Sequence, residues 1–152
     1  MAGELATLGT ILIEEGEYGQ AESTLTAALA IRRYLRGVDD SVLAVNLGDL
    51  AMALMSEGKF TEAEALTRDA LAVDRRLYGD EHLQVAADLD NLGVLLWREG
   101  KLDEAGEATR AGLEIRRRQL PADHPLISAS LHRSSSISSS RREGASRRPS
   151  QP

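Results

Sequence analysis

Apolar residues in this chain return every three to four positions, and the whole pattern returns every 42. Leu47, Leu50, Ala51 and Leu54 keep the i, i+3, i+4, i+7 spacing of an apolar stripe along one helix face. An offset of 42 links Leu5, Leu47, Leu89 and Leu131, and likewise Leu8, Leu50 and Leu92. It also links Leu12, Leu54 and Leu96; Ala21, Ala63 and Ala105; and Arg33, Arg75 and Arg117. Glycines in the context Glu-Gly-x-(Tyr/Phe/Leu)-x-x-Ala fall at Gly16, Gly58 and Gly100. Ungapped agreement at so many positions marks a repeat architecture. Each unit predicts two helices. Gly58 supplies the left-handed conformation that ends the first of them. Thr61 then caps the second, with Glu64 reaching back to complete a capping box. Asp103 takes the capping position in the third unit, and Gly19 stands there in the first. Ala63 and Ala70, seven apart on one face, let the paired helices approach closely.

Composition agrees with the helical pattern. The first proline is Pro121, so the preceding 120 residues are proline-free and rich in Ala, Leu, Glu and Arg, as an all-α chain should be. The absence of cysteine excludes a disulfide framework, a CxxC metal site and a thiol nucleophile. No apolar run approaches the roughly 18 residues of a membrane span, which predicts a cytoplasmic protein with no membrane partner. Residues 1–132 carry 13 Lys and Arg against 23 Asp and Glu, whereas residues 133–152 carry five Arg against one Glu. An acidic helical body repels phosphate backbones, so no nucleic-acid partner is expected.

Catalytic chemistry finds little footing. His82 and His124 lie 42 apart at one repeat position, and His124-Pro125 reads as a helix start with proline at the first helical position. Both histidines are therefore read as caps rather than as catalytic or metal-binding groups. No GxSxG, HExxH or phosphate-binding glycine loop occurs. The chain is expected to be no enzyme and to need neither metal nor cofactor.

These residues resemble the tetratricopeptide repeat, and the 42-residue spacing resembles its kinesin light chain variety. The stretch Glu81-His82-Leu83-Gln84-Val85-Ala86-Ala87-Asp88-Leu89-Asp90-Asn91-Leu92-Gly93 is similar to the segment linking successive repeats of that family. So is Ala70-Leu71-Ala72-Val73-Asp74-Arg75-Arg76-Leu77-Tyr78-Gly79. Leucine replaces the family's large aromatic at Leu12, Leu54 and Leu96, and Thr67 and Thr109 replace a bulky packing residue. The resemblance implies antiparallel helix pairs stacked in a right-handed superhelix. The repeats would run over about residues 3–40, 41–82 and 83–124, with a partial fourth helix over 125–132 and a disordered Ser/Arg-rich tail over 133–152.

The resemblance also implies that first helices line a concave groove that binds peptides. Carried over position by position, the groove residues are Ile13, Asp49, Met52, Met55, Asp90, Asn91, Val94, Trp97 and Arg98. Asn91 stands where the family often has an asparagine that bonds peptide backbone, a task suited to a side chain with both donor and acceptor. Thr10, Met52 and Val94 occupy a place that relatives with a carboxylate clamp fill with polar groups, which argues against such a clamp. Ile13, Met52, Met55, Val94 and Trp97 form an apolar strip edged by Glu14, Asp49, Asp90 and Arg98. Methionine adapts to irregular partners, and tryptophan is a typical anchor. The expected partner is a protein or peptide segment with one or two large apolar side chains and a basic residue nearby. Trp97 has two readings, groove anchor or core residue folded over the next repeat.

Both ends look cut. The first helix starts near Gly3, about a turn short of its counterparts. The fourth unit loses the pattern at Arg133, and Ser134 stands where a leucine is due. The tail reads either as a regulatory segment, with Arg147-Arg148-Pro149-Ser150 as a phosphorylation site, or as a shifted reading frame. Three functional classes follow: a peptide-binding scaffold, the docking arm of a larger signalling protein such as an ATPase switch, and a module that self-associates through its exposed ends into a homo-oligomer.

Overall fold

The computed structural model describes residues 1–34 and 40–146. Seven helices and no strand occur among the described residues: α1 (Ala2–Glu14), α2 (Tyr18–Tyr34), α3 (Asp40–Ser56), α4 (Phe60–Tyr78), α5 (Leu83–Arg98), α6 (Leu102–Gln119) and α7 (Pro125–Ser146). None is long and apolar enough to cross a membrane. The chain divides into two compact units, Met1–Asp80 and Glu81–Pro152. In the first, α1 packs on α2, α2 on α3 and α3 on α4; in the second, α5 packs on α6 and α6 on α7.

The repeated glycines end the first helix of every pair. Gly16, Gly58 and Gly100 have φ of 80°, 78° and 79°, where a side chain would be strained. At each, the next N–H reaches back five residues: Glu17 to the Leu12 carbonyl, Lys59 to Leu54 and Lys101 to Leu96. Gly16, Gly58 and Gly100 themselves donate to the carbonyls of Ile13, Met55 and Trp97, completing a Schellman motif three times.

The same motif displaces the expected caps. Lys59 and Lys101 leave the turn and at once accept the first bonds of the next helices, from Ala63 and Ala105. They are therefore the N-caps of α4 and α6, without a side-chain cap bond of their own, and Thr61 and Asp103 fall inside the first turn rather than before it. There Asp103 meets the positive end of the helix dipole instead of capping it. The histidine caps do form. His82 Nδ1 accepts the Gln84 N–H at 3.1 Å, and His124 Nδ1 accepts that of Leu126 at 3.2 Å.

Close approach within each pair rests on small residues. A Cβ added to Gly9 would lie 2.5 Å from Leu25 Cγ, and one added to Gly93 would lie 2.5 Å from the Thr109 methyl. Thr67 and Thr109 are buried, each with its hydroxyl bonded to a carbonyl one turn back, at 2.9 Å to Ala63 and 3.0 Å to Ala105. Threonine with a satisfied hydroxyl thus fills the place of the bulkier residue expected from the family pattern.

The fourth unit departs most from expectation. Rather than a helix ending at 132 and a disordered tail, α7 continues for 22 residues to Ser146. Position 142, where the register would place another helix-ending glycine, is Arg142, so nothing turns the chain. Ile127, Ser130 and Ile137 are buried along one side of α7. Its far half is tied down by Ser140, which accepts the Trp97 indole N–H, and by Arg141, 2.8 Å from Asp103. The suggested phosphorylation site at Arg147, Arg148, Pro149 and Ser150 lies outside the described residues.

Candidate functional site

Predicted groove residues fall into two sets, one in each unit. In the first unit, α1 and α3 supply Ile13, Asp49, Met52 and Met55. Met52 is exposed, while Ile13, Asp49 and Met55 are half-buried. Val45, one helical repeat of seven before Met52, is exposed beside them. Thr10 on α1 donates to Asp49 Oδ2 at 3.0 Å, joining the two helices. Burial pushes the Asp49 carboxyl above its ordinary value, and the Thr10 hydrogen bond opposes this without cancelling it. Asp49 is thus a half-buried carboxylate whose orientation is set by Thr10.

In the second unit the set is Asp90, Asn91, Val94, Trp97 and Arg98, all on α5. Asn91 and Arg98 are exposed, and Val94 and Trp97 are half-buried. The Trp97 indole N–H donates to Ser140 Oγ at 3.1 Å, which fixes the ring's orientation against α7. The Arg98 guanidinium sits 5.8 Å from the ring centroid, within cation–π range. Trp97 is therefore tied to α7 along one edge and stays half-buried.

Asp90 is not the free groove-edge carboxylate that the pattern suggested. It is buried, and its Oδ2 accepts from Arg116 Nη1 of α6 and, at 2.7 Å, from Arg133 of α7. Ser130 Oγ lies between them, accepting from Arg116 and 3.4 Å from Asp90 Oδ2. The physical reason is the continuation of α7: a helix running past 132 lays Arg133 over α5, and a buried carboxylate needs such partners. One carboxylate is shared by two guanidiniums, so this cluster carries a net positive charge and offers no free acid.

Arg133 and Ser140 were missed as site residues, although the register contains the signal for both. Arg133 lies 42 after Asn91 and continues the row Thr7, Asp49, Asn91; Ser140 lies 42 after Arg98. Reading 133–152 as a tail hid both. Among the described residues no group of three or more His, Cys, Asp or Glu side chains could hold a metal ion.

A family model described as tetratricopeptide repeat matches residues 41–118, more than half of the chain. No curated protein matches the sequence. Among solved structures, the chain resembles the kinesin light chain TPR-like repeats of Podosopora anserina, with 21% identity and a TM-score of 0.79 over 91% of this chain and 65% of that one. It resembles BtubC (BKLC) of P. vanneervenii with 24% identity and a TM-score of 0.85, over 92% of this chain and 56% of that one. This chain thus spans less than two thirds of the length of either. It also resembles the type III secretion chaperone SycD of Yersinia enterocolitica, solved with a peptide of the translocator YopD, at 15% identity and a TM-score of 0.67 over 93% of each chain. Identities this low establish a shared fold.

Proposed function

The chain belongs to the tetratricopeptide-repeat family, and on that premise we propose that it is a non-catalytic cytoplasmic scaffold whose first helices hold a peptide or protein segment. The observation that carries this reading is the half-open Trp97 ring, held by Ser140 at its N–H and by Arg98 over its face, on the same helix as the exposed Asn91. An aromatic side chain of fixed orientation, with an exposed amide on the same helix, suits a partner that offers an apolar side chain to the ring and a backbone group to the amide. Exposed Met52 and Val45 offer a second apolar contact in the first unit. The similarly folded SycD, solved with a translocator peptide, supports the reading by analogy.

Trp97 is the chain's only tryptophan, so its emission reports on this face directly. Titration with a pool of short peptides varied at one or two apolar positions is expected to give a saturable shift for a subset. Asn91→Ala should weaken binding of that subset while leaving the melting midpoint in place. A pool that produces no saturable shift, or a shift indifferent to Asn91→Ala, would overturn the assignment.

A further inference from the structure

The outer face of α1 is bare at the repeat positions that α7 buries. Met1, Glu4 and Ile11 lie three periods before Ile127, Ser130 and Ile137. The α7 residues are buried, Ile127 at 4% and Ile137 at 3% exposure, in a helix that packs on the preceding α6. Met1 and Ile11 are 87% and 44% exposed. Leu8 joins them at 46%, whereas its counterpart Leu50, on a helix preceded by α2, is at 6%. Met1, Leu8 and Ile11 are thus apolar and exposed, and no described helix covers them.

The charge pattern indicates what fits. Residues 1–17 contain Glu4, Glu14, Glu15 and Glu17 and no Lys or Arg. The helix that covers α7 ends in Arg116, Arg117 and Arg118, and Arg116 donates to Ser130, the residue in the Glu4 row. Glu4 is 86% exposed and pairs with the terminal ammonium of Met1 at 3.0 Å. A helix lying on α1 as α6 lies on α7 would bring its own basic last turn against Glu4 and its apolar stripe over Leu8 and Ile11. We propose that this face of α1 is a docking site for a basic amphipathic helix, with an Ala/Leu stripe and an arginine in its last turn that pairs with Glu4.

The probe is a labelled synthetic peptide of residues 102–119, the α6 sequence, titrated by fluorescence anisotropy against the full chain. Saturable binding is expected. Leu8→Glu should weaken it about tenfold, the loss expected when one large apolar contact disappears. Glu4→Arg should weaken it about two- to fivefold, as for an exposed ion pair, and an Arg116→Glu peptide should recover the loss. Circular dichroism of both variants should match the parent, because the two side chains lie on the surface, and Met52→Glu in the groove should leave the affinity unchanged. No binding, or binding indifferent to both Leu8→Glu and Glu4→Arg, overturns the proposal. So does a mass that doubles with concentration and returns to that of one chain in Leu8→Glu, since a second copy would then be the occupant.

Discussion

Replacing Asp90 with asparagine keeps the side chain's shape and removes its charge. The buried Arg116 guanidinium would then face Ser130 and a neutral amide, while Arg133, 44% exposed, can turn to water. Removing one partner of a buried ion pair costs about 3–5 kcal/mol, because the other charge is left uncompensated. For a chain of this size each kcal/mol moves the melting midpoint by about 2–4 °C, so a fall of roughly 6–20 °C is expected. Arg133→Ala tests the same geometry from the other side. Asp90 keeps Arg116, and the loss should stay within about 1 kcal/mol, as for a partly solvated pair. Urea and thermal unfolding followed by Trp97 emission is the appropriate assay, since Trp97 and Asp90 belong to the same unit. The double replacement Asp90→Leu with Arg116→Met removes both buried charges and should recover most of the loss. An Asp90→Asn protein within about 1 kcal/mol of the parent would refute the buried network, as would an Arg133→Ala penalty equal to that of Asp90→Asn.

Further expectations concern packing, titration and α7. Gly93→Ala would press a Cβ to 2.5 Å from the Thr109 methyl and 3.3 Å from the Ala105 carbonyl, so a loss of about 1–3 kcal/mol is expected in urea unfolding. Adding Thr109→Ser, which removes that methyl, should recover part of it; an unchanged penalty would locate the strain elsewhere. Burial raises the Asp49 pKa, so the folded state holds the proton more tightly than the unfolded chain does. Its contribution to stability therefore improves as pH falls through the Asp49 range and is lost above it. Asp49→Asn should flatten that slope above the ordinary aspartate range and raise the midpoint at neutral pH, whereas melting curves parallel to the parent's would contradict the assignment. Ile137→Ala should loosen the far half of α7 at a cost of about 2–5 kcal/mol, seen as faster hydrogen exchange over residues 133–146 and a red shift of Trp97 emission. Unchanged exchange would mean that Ile137 does not hold the helix.

Much of the fold was legible because a helix pair announces itself locally. Apolar spacing specifies a face, and a glycine in a fixed context specifies where the chain turns. Both signals depend on residues within a few positions of each other. Gly16, Gly58 and Gly100 end their helices as the pattern indicates, and His82 and His124 cap theirs. The misplaced caps at Thr61 and Asp103 show the limit of that reasoning. Capping-box spacing identified a helix start correctly to within two residues, but the Schellman turn before it had already supplied the entry.

The remainder required neighbours far apart in sequence. Nothing in Asp90 or its flanking residues distinguishes a groove carboxylate from a buried one. The difference comes from Arg116 and Arg133, 26 and 43 positions away, which meet it only once α6 and α7 have packed. The serine-rich run after Arg133 likewise lacks the apolar content that marks a helix, yet Ile137 buried on α6's neighbour and two side-chain ties hold it as one. The surroundings of Trp97 were equally beyond local reasoning: Ser140, 43 positions away, takes its indole N–H, Arg98 lies over one face, and the residue stays half-buried. By itself, the sequence determined the repeat, its helices, its turns and the rows of equivalent positions, because periodicity and backbone conformation are local properties. Tertiary structure alone decided which members of each row are buried, paired or exposed, because burial and charge compensation depend on the helix that lies across from them.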